Sequence, residues 1–307
     1  RLAAATGAVV VLALREKSAI QGFVRRLGEV ELRAALQFAA LALVLLPVLP
    51  EGPYGPLGGI RPRELWFVVL LVSGLNFAAY LARRAVGETK GVVVAGILGG
   101  TVSSTAVSLG FSRQSRERPE SAAALALGVL GACTVLFLRL VIVTLVLRPA
   151  LTAALAWFFL PPFLVGLALL GLGLRGARLH DEGPAAPEGR SPLRLASAIA
   201  LALGFQVVLM AFAWARERFG PGGVLTSASL LGLTDMDALT FAMSRLAAEP
   251  AMLQLAALAT ALGALVNTVV KLGVVVAVGV GDFRRRGGLY LLCLATAGGL
   301  GIWLGAT

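Results

Sequence analysis

The sequence predicts an all-α, polytopic membrane protein with about ten transmembrane helical segments in two pseudo-symmetric repeats. Three observations lead to this prediction. Hydrophobic residues make up 58% of the 307 residues, and the mean hydropathy of +0.88 is far above that of soluble globular proteins. Apolar runs long enough to cross a bilayer recur along the chain. Residues 100–147 can also be placed over residues 232–279 without a gap.

The internal repeat has a constant offset of 132 residues. Gly100 aligns with Gly232, and Arg139 aligns with Lys271. Apolar matches carry little weight in a chain rich in Ala, Leu and Val. Matched cations inside apolar segments are more informative, because a charge at mid-membrane is costly. Duplicated halves with polar residues at equivalent depths are a recurrent plan of membrane transporters.

The segments are justified in chain order by apolar runs between polar, Pro-rich or Gly-rich connections. The first run is short for a span, so we interpret it as the tail of a helix that began upstream. Basic residues interleaved with apolar ones at 15–33 predict an amphipathic helix on the membrane surface. The expected segments lie near residues 2–14, 32–49, 65–84, 91–112, 122–147, 149–174, 193–215, 222–244, 251–280 and 287–306.

The longest polar linker, residues 175–192, separates the two halves. The repeat period covers four segments, and this even number favours parallel halves. A re-entrant or surface segment would make the number odd and the halves inverted. The expected domains are an N-terminal part with a partial helix, the surface helix and the second span at 1–60, a first membrane repeat at 61–180 and a second membrane repeat at 181–307.

The charge of the chain fits a membrane location. The net charge is +11, and most Lys and Arg residues lie in short connections, where they favour cytosolic loops and contact with anionic lipids. We therefore expect a multi-pass protein of the cell inner (cytoplasmic) membrane, with the lipid bilayer as a partner and no nucleic acid. The cysteines Cys133 and Cys293 are interpreted as small buried residues. The single histidine lies in a polar loop, so no zinc site or cofactor is expected.

Two carboxylates in the eighth segment are the most unusual local feature. Asp235 and Asp237 are two residues apart, so both can face one cavity only if the helix unwinds near Gly232. The repeat aligns them with Ser103 and Thr105. Carboxylates and hydroxyls at a repeat interface would form an oxygen-rich site for a hard cation, with the two aspartates as candidate metal ligands. Further candidate oxygen donors are Ser104, Thr234 and Thr240.

Other polar residues inside apolar segments are candidates for the same site. Asn267 and Lys271 share a helix face, and we expect Lys271 to be a charge partner of Asp235 or Asp237. Arg139 keeps its charge, so it is expected to approach the same region as a fixed countercharge or an anion contact. Two mid-span amides, which either line a path or join helices, are Asn76 and Gln206.

Three functions remain open. The first is a secondary transporter or channel for a small ion, most simply a divalent or proton-coupled cation bound at the repeat interface. The second is an anion transporter that uses Arg139 and Lys271. The third is a non-transporting regulatory module, in which buried ion pairs lock helices together. We do not expect an enzyme: the Gly-Val-Gly-Asp run at 279–282 matches the intramembrane aspartyl protease motif, but the Tyr-Asp partner that this chemistry needs does not occur.

Several motifs resemble one known family. They are Leu-Arg-Glu at 14–16, ELRAALQF at 31–38, LPVLP at 46–50, LGGTVSSTAV at 98–107 and GLTDMDALT at 232–240. Together they resemble a bacterial and archaeal membrane family called domain of unknown function 4010, often joined to an upstream MgtC/SapB-like domain. The resemblance covers nearly the whole chain. It implies the membrane architecture and an upstream domain, but it implies no activity. A small ion and a second copy of the chain, in a homo-oligomer, are the other expected partners.

Overall fold

The computed structural model of the protein describes residues 29–52, 54, 60–86, 91–176 and 195–306. The chain divides into two compact units, residues 1–50 and 51–307, each described here by itself. The predicted partial helix at 2–14, and most of the predicted surface helix and of the polar linker, lie outside the described residues.

The described part of the first unit is one apolar helical run. Helix α1 spans Glu29–Ala40 and continues through a π-helical turn, Leu41–Leu45, and a last α-helical turn, Leu46–Val48. Leu43 and Val48 are both 76% exposed. Outward-facing Leu and Val side chains are typical of a helix surrounded by lipid.

The described part of the second unit contains eight α-helices. Apart from one isolated bridge between Tyr54 and Ile60, the described residues form no β pairing, and the fold is all-α. The helices are α2 (Pro62–Val86), α3 (Val92–Glu117), α4 (Ala122–Leu147), α5 (Pro149–Gly176), α6 (Leu195–Gly232), α7 (Met236–Leu246), α8 (Leu253–Val278) and α9 (Gly281–Ala306).

The helices identify a multi-pass membrane protein. Within the described ranges, five helical stretches have the length and hydropathy of a span. The predicted number of ten spans is not confirmed, because α7 has only 11 residues and α6 carries Arg216, Glu217 and Arg218 within its length. The five stretches are Val92–Glu117, Pro119–Leu147, Pro149–Arg175, Pro250–Val278 and Gly281–Gly305.

Helices α4 and α8 form the centre of the second unit. Helix α4 packs against α3, α5, α7 and α9, while α8 packs against α3, α5, α6, α7 and α9. Glycines permit the closest approaches. A Cβ atom on Gly96 of α3 would lie 2.5 Å from the Gly128 Cα of α4, and one on Gly232 would lie 2.4 Å from the Gly263 oxygen of α8. At these contacts the absence of a side chain lets the helix backbones approach closely.

The predicted seventh and eighth segments are divided differently in the structure. Helix α6 covers the predicted seventh segment and the first part of the eighth, and it has a kink at Gly220 in place of the expected loop near residues 216–221. Gly220 has φ +58°, a conformation that favours glycine, and Pro221 follows it. The predicted segment 222–244 is then interrupted after Gly232, and α7 begins at Met236. The boundary moved because glycine and proline bent the helix without ending it.

One ion pair fixes the connection after α7. Arg216 of α6 donates two hydrogen bonds to the Glu249 carboxylate, at 2.9 and 2.6 Å. These bonds hold the pKa of Glu249 below its usual range. Since both side chains are exposed, this pair adds little stability.

Candidate functional site at the two helix breaks

The first break interrupts α3 at Ser103. This residue has φ −158° and ψ 101°, an extended conformation between the helical parts 92–102 and 104–117. The Ser103 hydroxyl accepts a hydrogen bond from the Ala106 backbone N–H at 3.2 Å. A serine in this position satisfies one of the N–H groups that the new helical turn leaves unpaired.

The second break separates α6 from α7 at Asp235. Its backbone has φ −143° and ψ 101°, close to the conformation of Ser103. The Asp235 Oδ1 atom accepts hydrogen bonds from the N–H groups of Asp237, at 2.9 Å, and Ala238, at 3.1 Å. The prediction of an unwound helix near Gly232 is confirmed.

The two breaks share one sequence offset. Ser103 and Asp235 are 132 residues apart, as are the backbone donors Ala106 and Ala238 that they cap. The first break lies three residues beyond Gly100, and the second lies three residues beyond Gly232. Equal geometry at equal spacing supports a duplication, and the arrangement of the two halves stays a prediction.

Arg139 of α4 joins the two breaks. Its Nη1 atom donates to the backbone carbonyls of Thr101, at 3.0 Å, and Val102, at 2.9 Å. Its Nη2 atom donates to Asp237 Oδ2 at 2.5 Å. Arg139 is 8% exposed, so this bridge is largely removed from solvent. The prediction that Arg139 reaches the aspartates across the two repeats is confirmed for Asp237.

The bridge matches the electrostatics of helix ends. Carbonyl groups at a helix C-terminus attract a cation, and the first turn of a helix favours an anion. Arg139 lies at the end of the first part of α3, and both Asp235 and Asp237 lie at the start of α7. These residues carry one positive and two negative formal charges, so the group has one net negative charge.

The second repeat does not use its own cation in this way. The Asn267 side chain donates to the Gly232 carbonyl at 2.8 Å and satisfies the end of α6. Lys271, which aligns with Arg139, is fully buried, and its Nζ has no hydrogen-bond partner in the part of the chain that the structure describes. The prediction that Lys271 pairs with Asp235 or Asp237 is therefore wrong. Asn267 lies one turn before Lys271 on the same helix face and binds the end of α6, as Arg139 binds the end of the first part of α3.

The remaining candidates lie at different depths. Thr234 is exposed and bonds back to its own helix, while Thr240 is buried and donates to the Met236 carbonyl at 2.7 Å. Ser104 is buried and Thr105 is exposed, so the first repeat does not direct both towards one site. Gln206 is half-buried on α6. Asn76 belongs to α2, and its side chain lies outside the described residues.

A metal-ligand cluster is not evident in the described part of the chain. Within it, no three His, Cys, Asp or Glu side chains come together. Asp235 and Asp237 supply two carboxylates, of which Asp235 is used as a helix cap and Asp237 as an ion-pair partner. Any further ligands for a cation at this place would be carbonyl, hydroxyl or water oxygens.

The sequence reasoning missed a row of buried serines on α3. Ser104, Ser108, Ser112 and Ser115 are all buried on one helix face, from the break to the end of the helix. Ser108 interacts with Cys133 of α4, which in turn interacts with Lys271. The spacing of four, four and three residues was visible in the sequence as a helical stripe. It was overlooked because serine inside a membrane helix commonly bonds to its own backbone.

The Asp235 cap leads to a stability prediction. We expect Asp235→Ala to lower the free energy of unfolding by about 0.5–2 kcal/mol, because two N–H groups of α7 lose their acceptor. Chemical denaturation in detergent, followed by circular dichroism, measures this change. Thr226→Ala is the control, since the exposed Thr226 hydroxyl bonds only to a carbonyl of its own helix. Equal stability of Asp235→Ala and the wild-type protein would contradict the assigned cap.

The matched sequence region contains both breaks and their bridge. The family model described as domain of unknown function 4010 matches residues 70–279. The chain belongs to this family. An uncharacterized protein of Aquifex aeolicus (strain VF5) is 26% identical over 159 residues, which cover 52% of this chain and 69% of that protein. No solved structure matches the chain. The upstream MgtC/SapB-like domain stays a prediction.

Proposed function

We propose that the protein is a secondary transporter or channel for a small cation, which passes between the break in α3 and the break before α7. The observation that carries this proposal is the Arg139 bridge, because one side chain binds carbonyls at the first break and a carboxylate at the second. Broken helices whose ends meet near the centre of a bundle are a recurrent ion-binding device of transporters. No catalytic step is proposed.

The net charge at the breaks favours a cation. Arg139 neutralises Asp237, whereas Asp235 forms no ion pair with a described residue and is half-buried. Carboxylate and carbonyl oxygens are hard ligands that suit Na⁺, K⁺, Mg²⁺ or a proton. If a cation replaced Arg139 at Asp237, the carbonyls of Thr101 and Val102 would also lose their hydrogen-bond donor. Cation binding would therefore couple the movements of the two breaks.

An anion fits this geometry less well. Arg139 already binds two carbonyls and one carboxylate, so an anion must displace Asp237 from an ion pair that is largely buried.

Basic residues in the short connections support placement in the cytoplasmic membrane. A homo-oligomer is compatible with this proposal, because the two breaks and the Arg139 bridge all lie within one chain.

Asp235→Ser tests the proposal because it separates charge from structure. Serine is the residue at the equivalent break in α3, where its hydroxyl caps the following turn. We therefore expect a change in stability of less than about 0.5 kcal/mol. Cation flux into proteoliposomes, measured separately with Na⁺, K⁺ and Mg²⁺ gradients, is expected to fall at least about tenfold, equivalent to about 1.4 kcal/mol.

The matched control is Asp282→Asn. Asp282 is an exposed carboxylate paired with Arg286 within the first turns of α9, so its neutralisation should leave flux unchanged. Equal flux in wild-type and Asp235→Ser vesicles would overturn the cation site. Flux of chloride but of none of the cations would favour the anion transporter, and absence of all flux in wild-type vesicles would favour the regulatory module.

A further inference from the structure

Lys271 lies in the interior of the helix bundle without a hydrogen-bond partner among the described residues. Its side chain is 0% exposed, and within these residues its Nζ atom forms no hydrogen bond. An ammonium group has three donors and no acceptor. Burial of such a group without a counter-ion is strongly unfavourable, and a lysine in this position loses its proton more readily than it keeps an unpaired charge.

The aligned residue in the first repeat behaves differently. Arg139 occupies the equivalent position, 132 residues earlier, and its two terminal nitrogens bind two carbonyls and Asp237. A guanidinium group does not deprotonate in proteins, whereas a lysine amine does so when it is buried. The two aligned positions therefore carry a permanent cation at Arg139 and an amine that can lose its proton at Lys271.

Among the described residues, the titratable group that interacts electrostatically with Lys271 is Cys133 of α4. Several charged groups on the helices packed against α8 bind partners elsewhere. On α7, Asp237 binds Arg139, and on α9, Asp282 binds Arg286. On α3, Arg116 donates to the Val278 carbonyl at 2.8 Å, and on α6, Arg216 binds Glu249. None of these recorded ion pairs supplies Lys271 with a counter-ion.

The serine stripe leads from this lysine to a charged end of the bundle. Cys133 interacts with both Lys271 and Ser108, and Ser108 belongs to the stripe. At the far end, the Ser115 hydroxyl accepts a hydrogen bond from the Val280 N–H at 3.3 Å. Charged and exposed side chains surround this end, among them Arg113, Arg116 and Glu117 of α3 and Arg284, Arg285 and Arg286 of α9.

The stripe has the spacing of a hydrated proton path. Ser108, Ser112 and Ser115 each donate to a carbonyl of the same helix, for example Ser112 to Ser108 at 2.6 Å, and each hydroxyl oxygen still has a lone pair free to accept. Successive serines are about one helical turn, or about 5.4 Å, apart. One water molecule with two hydrogen bonds of ordinary length bridges such a gap.

We propose that Lys271 is the proton-binding site of the transport cycle and exchanges its proton with water along the serine stripe of α3. In the conformation described here, the amine is uncharged. In the alternate conformation, a hydronium ion gives its proton to the Nζ lone pair, which leaves water and an ammonium group. The role in transport rests on the proposed function, while the proton-binding site itself can be tested on the folded protein alone.

The first test compares the thermal unfolding of the wild type and Lys271→Met between pH 6 and pH 10. In the unfolded wild-type chain the pKa of Lys271 is about 10.4. Below this pH the protein therefore takes up a proton when it unfolds. Wild-type stability must therefore rise with pH, and Lys271→Met should lack this component. We expect the Tm of Lys271→Met to exceed that of the wild type by about 3–10 °C at pH 7, with a gap that narrows towards pH 10.

Methionine is an apt replacement because it is unbranched and adapts to the shape of the lysine stem. A Tm difference that is constant across the pH range would overturn the proposal, since the folded and unfolded states would then bind the proton equally well. A lower Tm for Lys271→Met at pH 7 would also overturn it, because it would show that the ammonium group stabilises the fold.

The second test measures proton movement directly. Proteoliposomes contain a pH-sensitive dye, and a Na⁺, K⁺ or Mg²⁺ gradient is imposed while the flux of the same cation is followed. We expect the wild-type protein to move protons in the direction opposite to the cation flux. Lys271→Met should reduce the rate of proton movement at least about tenfold. Ser112→Ala should slow proton movement, whereas Ser229→Ala, which alters a half-buried serine of α6 outside the stripe, should not.

The outcomes separate the two proposals. Cation flux without proton movement in the wild type would overturn proton coupling and leave the cation transporter intact. Absence of both movements would overturn the proposed function, and the pH dependence of Tm would still decide whether Lys271 binds a proton. Equal proton movement in Lys271→Met and the wild type would assign the coupling site to another residue.

Discussion

Arg139→Leu is expected to lower the free energy of unfolding by about 3–5 kcal/mol, because removal of one member of a buried ion pair leaves the other charge uncompensated. Asp237 would lose its 2.5 Å partner, and the carbonyls of Thr101 and Val102 would lose their donors. Chemical denaturation in detergent micelles measures the loss.

The control for this change is Arg216→Leu. That variant also removes an arginine that binds a carboxylate with two hydrogen bonds, but the Arg216–Glu249 pair is exposed. Its cost should be within about 1 kcal/mol. Similar losses of unfolding free energy in Arg139→Leu and Arg216→Leu would show that the bridge between the breaks contributes no more stability than an exposed ion pair.

The double variant Arg139→Leu/Asp237→Leu distinguishes a structural lock from an ion site. Replacing both charges by apolar side chains removes the uncompensated charge, so much of the stability lost in Arg139→Leu should return. If the pair only locks helices together, transport should return with stability. We expect a stable protein with cation flux at least about tenfold below that of the wild type.

Gly96→Ala is expected to have the second largest effect. The added Cβ would lie 2.5 Å from both the Cα and the backbone oxygen of Gly128, and backbone atoms of a packed helix cannot move aside as a flexible side chain can. Overpacking of this kind typically costs about 1–3 kcal/mol. Separation of α3 from α4 should also weaken the Arg139 contacts with the first break, so flux should fall together with stability.

Gly171→Ala is the matched control, because a Cβ at this α5 position meets nothing within 4 Å. We expect it to be neutral or slightly stabilising, since alanine is the better helix former. Thermal unfolding and cation flux of the two variants should be measured in parallel. A Gly96→Ala protein as stable as Gly171→Ala would mean that α3 and α4 are not in close backbone contact.

Much of the fold could be predicted because its signals are local. The hydropathy of α4 and α8, the glycines at the α3–α4 contact and the polar residues after Gly232 are all readable over a few helical turns. The kink at Gly220 was harder, because a glycine followed by a proline either ends a helix or bends it, and the packing around it decides which.

The candidate site was predicted in part. The constant offset placed the break at Asp235 at the position equivalent to Ser103, since this relation follows from the register along each helix, and it placed Arg139 near the aspartates without deciding which one it binds. The roles of individual hydroxyls did not follow. Thr105 is exposed and Ser104 is buried, because a change of one position turns a side chain by about 100° around the helix.

The sequence by itself determined that this protein is a helical membrane protein with polar helix breaks and a buried arginine near them. Only the tertiary structure decided which charges meet. Arg139 binds across to Asp237, while Lys271 faces Cys133 and Asn267 takes the helix end at Gly232. Spacing along a chain fixes which residues share a helix face, but the rotation and crossing of neighbouring helices fix the partner that each face meets.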